Sequence, residues 1–246
     1  MKSLLMSGAL ALAVAGPAYG LAPLMTDDFD YGATAGNLTA LTANWVAHSG
    51  TTGFVGYQTS TLSLAGYTFG GTGGAATIDN VAGAEDVSRS IGGAQAGDIY
   101  FSALVNISAS STGNYFLHFK NATTTFRCKV FAQDSGGNLR FGLTSSANTG
   151  VYSTTNFSYN TTYLLVLHYN GTSGLTALHV LTTVPATEPA PLLSETDGTP
   201  QSTMEAVAIR QSSGAAGTPT AVIDGIRVGT TWNDILPVEL MNFEIK

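Results

Sequence analysis

Apolar residues recur at every second position through most of this chain, and that one pattern leaves little freedom in what it can fold into. An extended strand points successive side chains to opposite faces, so period-two alternation describes strands with one buried face. From Ile99 one face reads Ile99, Phe101, Ala103, Val105, Ile107, and the other Tyr100, Ser102, Leu104, Asn106. The next run sets Tyr115, Leu117 and Phe119 against Phe116, His118 and Lys120, and another sets Phe126, Cys128 and Val130 against Arg127, Lys129 and Phe131. After the turn at 134–138, Leu139, Phe141 and Leu143 resume the apolar face. Further strands are expected at Tyr163–Tyr169, Leu175–Leu181, Met204–Arg210 and Ala221–Val228. Turn residues break these runs at roughly 8- to 15-residue intervals, and no segment beyond the first 20 or so residues carries a helical period. The expectation is an all-β fold, an antiparallel two-sheet jelly-roll sandwich of about 11–14 strands.

Size and charge narrow the class. A chain of 246 residues suits one large sandwich domain. With 44% hydrophobic and 10% charged residues, charge-driven disorder and coiled coils are disfavoured. The formal charge of −7 argues against electrostatic capture of nucleic acid. Lys2, the apolar run from Leu4 to Val14 and the small-residue pattern Ala18-Tyr19-Gly20 read as a secretory leader over 1–20. That run is too short to span a bilayer comfortably. The expectation is a secreted product with no membrane span after cleavage. The sandwich is placed at 21–235 and an extended tail at 236–246.

Cys128 is the lone cysteine, so no disulfide can form within the chain, and its apolar strand face implies a buried inert thiol. Gly70 to Ala84 reads as a long glycine-rich loop. Pro185 to Pro200, with four prolines, reads as a loop crossing the sandwich surface. Trp45 and Trp232 suit core or capping positions. Tyr57, Tyr67 and Phe69 stand near the glycine-rich loop, where they could meet a ligand. Six sequons, at Asn37, Asn106, Asn121, Asn156, Asn160 and Asn170, are taken as polar turn and strand positions.

Four stretches together carry a resemblance: Asp28-Phe29-Asp30-Tyr31; Phe101-Ser102-Ala103-Leu104-Val105; Thr162-Tyr163-Leu164-Leu165-Val166-Leu167 followed by Tyr169-Asn170; and Ile223-Asp224-Gly225-Ile226-Arg227-Val228-Gly229-Thr230-Thr231-Trp232. In this order, over roughly 26–235, they resemble the concanavalin A-like (LamG-like) jelly-roll domains of bacterial secreted proteins. The resemblance implies two curved antiparallel sheets with first and last strands adjacent. It also implies one of several roles: glycan binding, adhesion, spacing or, in other branches, glycan cleavage. The segment from Leu236 to Phe243 is similar to the linker that precedes a type IX secretion sorting domain.

Catalytic signatures of that fold are missing from the sequence. A retaining glycosidase needs two carboxylates about 5 Å apart on one face of the cleft. No E-x-D-x-x-E occurs, and adjacent Glu85 and Asp86 would point to opposite faces of a strand. There is no G-x-S-x-G, no zinc spacing, and no phosphate loop in the glycine run at 70–74. A non-enzyme is expected. If first and last strands pair, Asp27, Asp28, Asp30 and Asp224 could converge as hard oxygen ligands for a structural Ca²⁺. Four basic residues, Lys120, Arg127, Lys129 and Arg140, fall within 21 positions. With Phe116, His118 and Phe131 they are the candidate surface for an anionic glycan or a second copy of the chain. The leading expectation is a structural or adhesive module, self-assembling through a donated strand. Carbohydrate binding is the alternative.

Overall fold

The computed structural model describes residues 22–79, 84–211 and 217–236. The leader at 1–20 and the tail from 237 onward lie outside the described residues.

Among the described residues sixteen strands follow one another: β1 (Met25–Asp27), β2 (Gly36–Asn37), β3 (Val46–Ser49), β4 (Gly56–Gln58), β5 (Ala75–Ile78), β6 (Asp86–Ala96), β7 (Asp98–Ala109), β8 (Asn114–Lys120), β9 (Phe126–Asp134), β10 (Leu139–Thr144), β11 (Val151–Tyr152), β12 (Thr162–Asn170), β13 (Thr176–Leu181), β14 (Leu193–Glu195), β15 (Thr203–Arg210) and β16 (Thr220–Gly229). One-turn helices α1 (Leu38–Leu41) and α2 (Trp232–Ile235) complete the described elements. The strands form two antiparallel sheets. The larger runs β14-β13-β12-β7-β16-β5-β4-β2, with β1 sharing the β16 edge beside β5, and the smaller runs β11-β10-β9-β8-β15-β6-β3. First and last strands are neighbours, Met25 opposite Val228 and Asp27 opposite Ile226. The all-β jelly-roll expectation is met.

The four late strands end within a residue or so of their expected positions. Both presumed loops, however, contain a strand. Ala75–Ile78 lies inside the glycine-rich stretch and pairs with β16. Leu193–Glu195 lies inside the proline-rich stretch and pairs with β13. Short strands in glycine- and proline-rich sequence carry too few alternating positions to show in a hydropathy pattern, and tertiary pairing decides them.

The core fills the space between the sheets. Ile99, Phe101, Ala103, Val105 and Ile107 of β7 face Leu117, Phe119 and Val130 of the smaller sheet, with Phe101 and Phe119 edge to face at 5.9 Å. The other face of β7 is covered too. Tyr100 and Leu104, with Leu164 and Val166 of β12, pack under Tyr67, Trp232, Ile235 and Leu236. Leu62, Leu64, Phe69, Leu181 and Val184 complete this roof. A capping box, in which Thr231 and Asp234 each hold the other's backbone, starts α2 and lays Trp232 down. The roof over the larger sheet leaves the outward face of the smaller sheet as the candidate ligand face.

Candidate functional site

The outward face of the smaller sheet is built by β3, β6, β15, β8 and β9. Two register shifts between β8 and β9, flanking Leu117, break the alternation on which the sequence reading relied. One extra residue on β8 turns Phe116 inward, beside Leu117 and Phe119 in the inter-sheet core. The matching extra residue on β9 is Cys128, at φ +53°. Cys128 is fully buried, and burial drives its thiol pKa upward. The expected pairing of Phe116 with His118 on one outer face is thus corrected: Phe116 belongs to the core, and Tyr115 takes the outward place.

The other expected site residues are engaged by the protein itself. Phe131 is buried, edge-on to Tyr115 at 5.5 Å and Tyr152 at 6.2 Å. Lys129 is buried beneath the 144–148 loop and donates to Ser146 O at 2.8 Å, Ala147 O at 3.2 Å and Asn148 Oδ1 at 2.9 Å. Burial lowers its pKa to about 8. Arg127 donates to Phe126 O at 2.9 Å and Thr199 O at 2.7 Å. Lys120 donates to Asn121 O at 3.1 Å, and Arg140 to Asn156 Oδ1 at 2.9 Å. These cations hold loop carbonyls and amides in place. Charge clustering along the sequence could not reveal that, because the loop partners lie up to 72 residues away.

A cleft of about 440 Å³ opens on this face where β15 and β6 meet the turn after β3. Ser49, Thr51, Thr52, Asp86, Arg210 and Gln211 line it. Asp86 accepts from Ser49 Oγ at 2.6 Å and Gln211 N at 3.0 Å, with Arg210 Nε at 3.9 Å. Burial outweighs these donors and raises the Asp86 carboxyl above its ordinary range. The Arg210 guanidinium lies 4.1 Å above the Tyr115 ring and donates to Tyr115 O at 3.2 Å. Gln211 ties the floor down, donating to Gly53 O at 2.5 Å and accepting from Asp79 N at 2.7 Å. Gly50 has φ +71°, and a Cβ there would run into the Ala84 carbonyl, so the rim needs glycine. Phe54, two residues beyond the lining residue Thr52 in sequence, is 48% exposed. Adjacent Glu85 turns the opposite way, accepting from Thr39 Oγ1 at 3.1 Å and Val55 N at 3.1 Å. Arg210, Tyr115 and Phe54 were not singled out by the sequence, since an arginine ending a strand and single aromatics in a strand or a loop carry no motif.

His118 is fully buried on this face and His48 reaches it from β3. Burial holds both imidazoles neutral, lowering His118 to about 3 and His48 to about 4. An imidazole in the unfolded chain titrates near pH 6.5. Below that pH the unfolded chain takes up a proton that the native state refuses. Their contribution to stability is therefore full above about pH 6.5 and is lost as pH falls toward these depressed values. His118 alone should give a slope of about 1.4 kcal/mol per pH unit between roughly pH 6 and 4. Asp224 works in the opposite sense. Burial raises it to about 7, so its share of stability grows as pH falls from about 7 toward 4. Urea melts at stepped pH should show a shallower acid loss for His118→Gln than for the unaltered chain. Equal slopes would refute the neutral buried imidazole.

The four aspartates expected to meet at a cation lie close to the junction of β1 and β16. Asp27 accepts from Phe29 N at 2.8 Å, Tyr31 OH at 2.7 Å and Trp45 Nε1 at 2.7 Å, and pairs with Arg89. Asp28 takes both oxygens to Arg227 Nη2, at 2.7 and 2.9 Å. Asp224 accepts from Leu62 N at 2.8 Å and Gly225 N at 2.6 Å. Asp30 is exposed. Among the described residues no group of three or more His, Cys, Asp or Glu is arranged to hold a metal ion. The donors already on Asp27 and Asp28 leave a calcium role at these residues without positive support.

The aromatics follow the core and cap expectation: Trp45 is buried and stacked on Phe29 at 6.0 Å, and Trp232 is buried in the roof. Tyr67 sits in that roof as well, its hydroxyl donating to Gly225 O at 2.6 Å. Two sequon asparagines, Asn121 and Asn170, accept backbone amides within their own turns.

No family model matches the chain, and no curated protein matches it. Solved structures do. One segment of a sialidase superposes with a TM-score of 0.55 at 14% identity, covering 88% of this chain and 19% of that one. The chain thus spans about a fifth of the sialidase's length. The CBM2 module of an evolved Dit protein from a Lactobacillus casei phage aligns over 84% of this chain and 94% of its own, at TM-score 0.48 and 10% identity. A galectin of Caenorhabditis elegans aligns over 55% and 84%, at TM-score 0.38 and 11% identity. At these identities the likeness concerns the fold alone, a two-sheet antiparallel β-sandwich.

Proposed function

We propose that this chain is a secreted, non-catalytic β-sandwich that binds carbohydrate in the cleft between Asp86, Arg210 and the 49–52 rim. The observation that carries the reading is the chemistry of that cleft. A sugar hydroxyl both donates and accepts. The cleft offers a carboxylate, a guanidinium, hydroxyls and an amide within one opening, and the exposed Phe54 ring follows two residues along the chain from its lining residue Thr52. Apolar pyranose faces pack on such rings while the hydroxyls bond to the polar wall. The non-catalytic reading is supported by Glu85, whose carboxylate is committed to Thr39 and Val55 and so does not stand beside Asp86 as an acid–base partner.

The test is retention of the chain on immobilised glycans. Phe54→Ala should weaken retention at least about tenfold with the thermal midpoint unchanged, because the ring is exposed. Asp86→Ala should weaken it further, by about 2 kcal/mol or more of lost hydrogen bonding. Full retention in both variants, or no glycan retained by the unaltered chain, would sink the reading.

Self-assembly has one observation in its favour. Both edges of the smaller sheet are short strands carrying exposed apolar side chains, Val46 on β3 at 59% and Val151 on β11 at 48%. Light scattering on the purified chain decides it: oligomers that Val46→Lys disperses support edge pairing, and a monomer excludes it.

A further inference from the structure

Across the outward face, β15 and β6 present small side chains. His118 stands opposite Ala208, Ala208 opposite Ser88, and Ser88 opposite Val46, in one continuous register row. Over that low floor the imidazoles of His48 and His118 meet, although two strands separate their own. Their ring centroids are 6.3 Å apart. Phe126 shields them, 4.5 Å from His118 and 5.8 Å from His48.

The polar atoms of this pair are unaccounted for. His118 Nδ1 lies 3.1 Å from Phe119 O. A carbonyl can only accept, so Nδ1 carries the proton and Nε2 carries a lone pair. His118 Nε2 and both ring nitrogens of His48 are buried and find no hydrogen-bond partner among the described residues. Buried polar atoms in native folds are nearly always paired, and three orphans in one contact ask for a partner from outside the chain. An imidazole whose second nitrogen is fixed on a backbone carbonyl is also the usual arrangement of a metal-binding histidine.

We propose that His48 and His118 form a two-imidazole site for a monovalent, closed-shell metal ion of the cuprous type. An imidazole nitrogen lies about 2 Å from such an ion, so two rings facing one ion have centroids about 6 Å apart, close to the separation observed. The neighbouring charges select the valence. Lys120 acts on His48, and Lys129 and Arg210 act on His118. Repulsion by these cations doubles for a divalent ion. A monovalent ion meets half that repulsion and binds through imidazole lone pairs.

Silver(I) in chloride-free buffer is a suitable probe, read by nitrogen NMR of the histidine side chains of the full-length chain. One equivalent should shift the His118 Nε2 and a His48 nitrogen together and leave His168 and His179 in place. Zn²⁺ should shift neither at the same concentration. His48→Gln, at a half-buried position, should reduce silver affinity at least about tenfold. Silver uptake with the two rings unmoved assigns the metal to the Cys128 thiol and overturns the proposal. No uptake, or undiminished affinity in His48→Gln, overturns it equally. Glycan retention is read separately, so failure here leaves the cleft reading standing.

Discussion

Replacing Asp27 by Ala is expected to lower the unfolding free energy by about 3–5 kcal/mol and the thermal midpoint by roughly 10 °C. Asp27 is almost fully buried, and four groups converge on its carboxylate: the Phe29 amide, the Tyr31 hydroxyl, the Trp45 indole and the Arg89 guanidinium. Those donors come from three separate stretches of chain, so one side chain ties the start of the fold to β6 and to the entry of β3. Its loss leaves a guanidinium and an indole N–H without their acceptor in a dry setting, and each orphan costs about 1–3 kcal/mol. Phe29, at φ +51°, loses the amide bond that steadies an uncommon backbone conformation. Asp27→Asn keeps the shape and one acceptor, so its loss should be near half that of Ala. Calorimetry on the two variants checks the order. A shift of only a degree or two for Ala would show that the carboxylate hub contributes little beyond packing.

Asp27 also illustrates what sequence can and cannot disclose. The aspartate cluster at 27–30 and the pairing of first and last strands were both legible, and the two together suggested a cation. Two basic partners of these carboxylates, Arg89 and Arg227, lie 62 and 199 residues away. Nothing local marks them. The strands were legible for the opposite reason. Successive side chains of a strand point to opposite faces, so β7 sends one set to the core and the other to the roof, and each strand states its own faces. Sites are assembled from side chains brought together by register, and register depends on bulges that add single residues. The sequence placed its candidate ligand face on what became β8 and β9. Its chemistry moved to Tyr115, Arg210, Asp86 and His48, because Lys129 and Arg127 were drawn off by loop carbonyls.

Phe116 separates these levels in a single experiment. Strict alternation places it outward beside His118, where truncation to Ala would change stability by about 0.5 kcal/mol or less. The bulge on β8 places it in the inter-sheet core with no exposed surface. Phe116→Ala should therefore cost about 3–5 kcal/mol, the transfer of the ring plus the cavity left behind. In a chain of this length that lowers the midpoint by roughly 10 °C. Phe131 is buried as well, packed on Tyr115, so Phe116→Ala with Phe131→Ala should lose more stability than either alone. The double variant would thus lose glycan retention by unfolding, not by losing a stacking platform. Phe54→Ala, at an exposed ring close in sequence to the cleft-lining residues, is the variant that tests recognition with the fold intact. A wild-type melting curve for Phe116→Ala would mean that β8 keeps strict alternation, and would return Phe116 to the candidate ligand face.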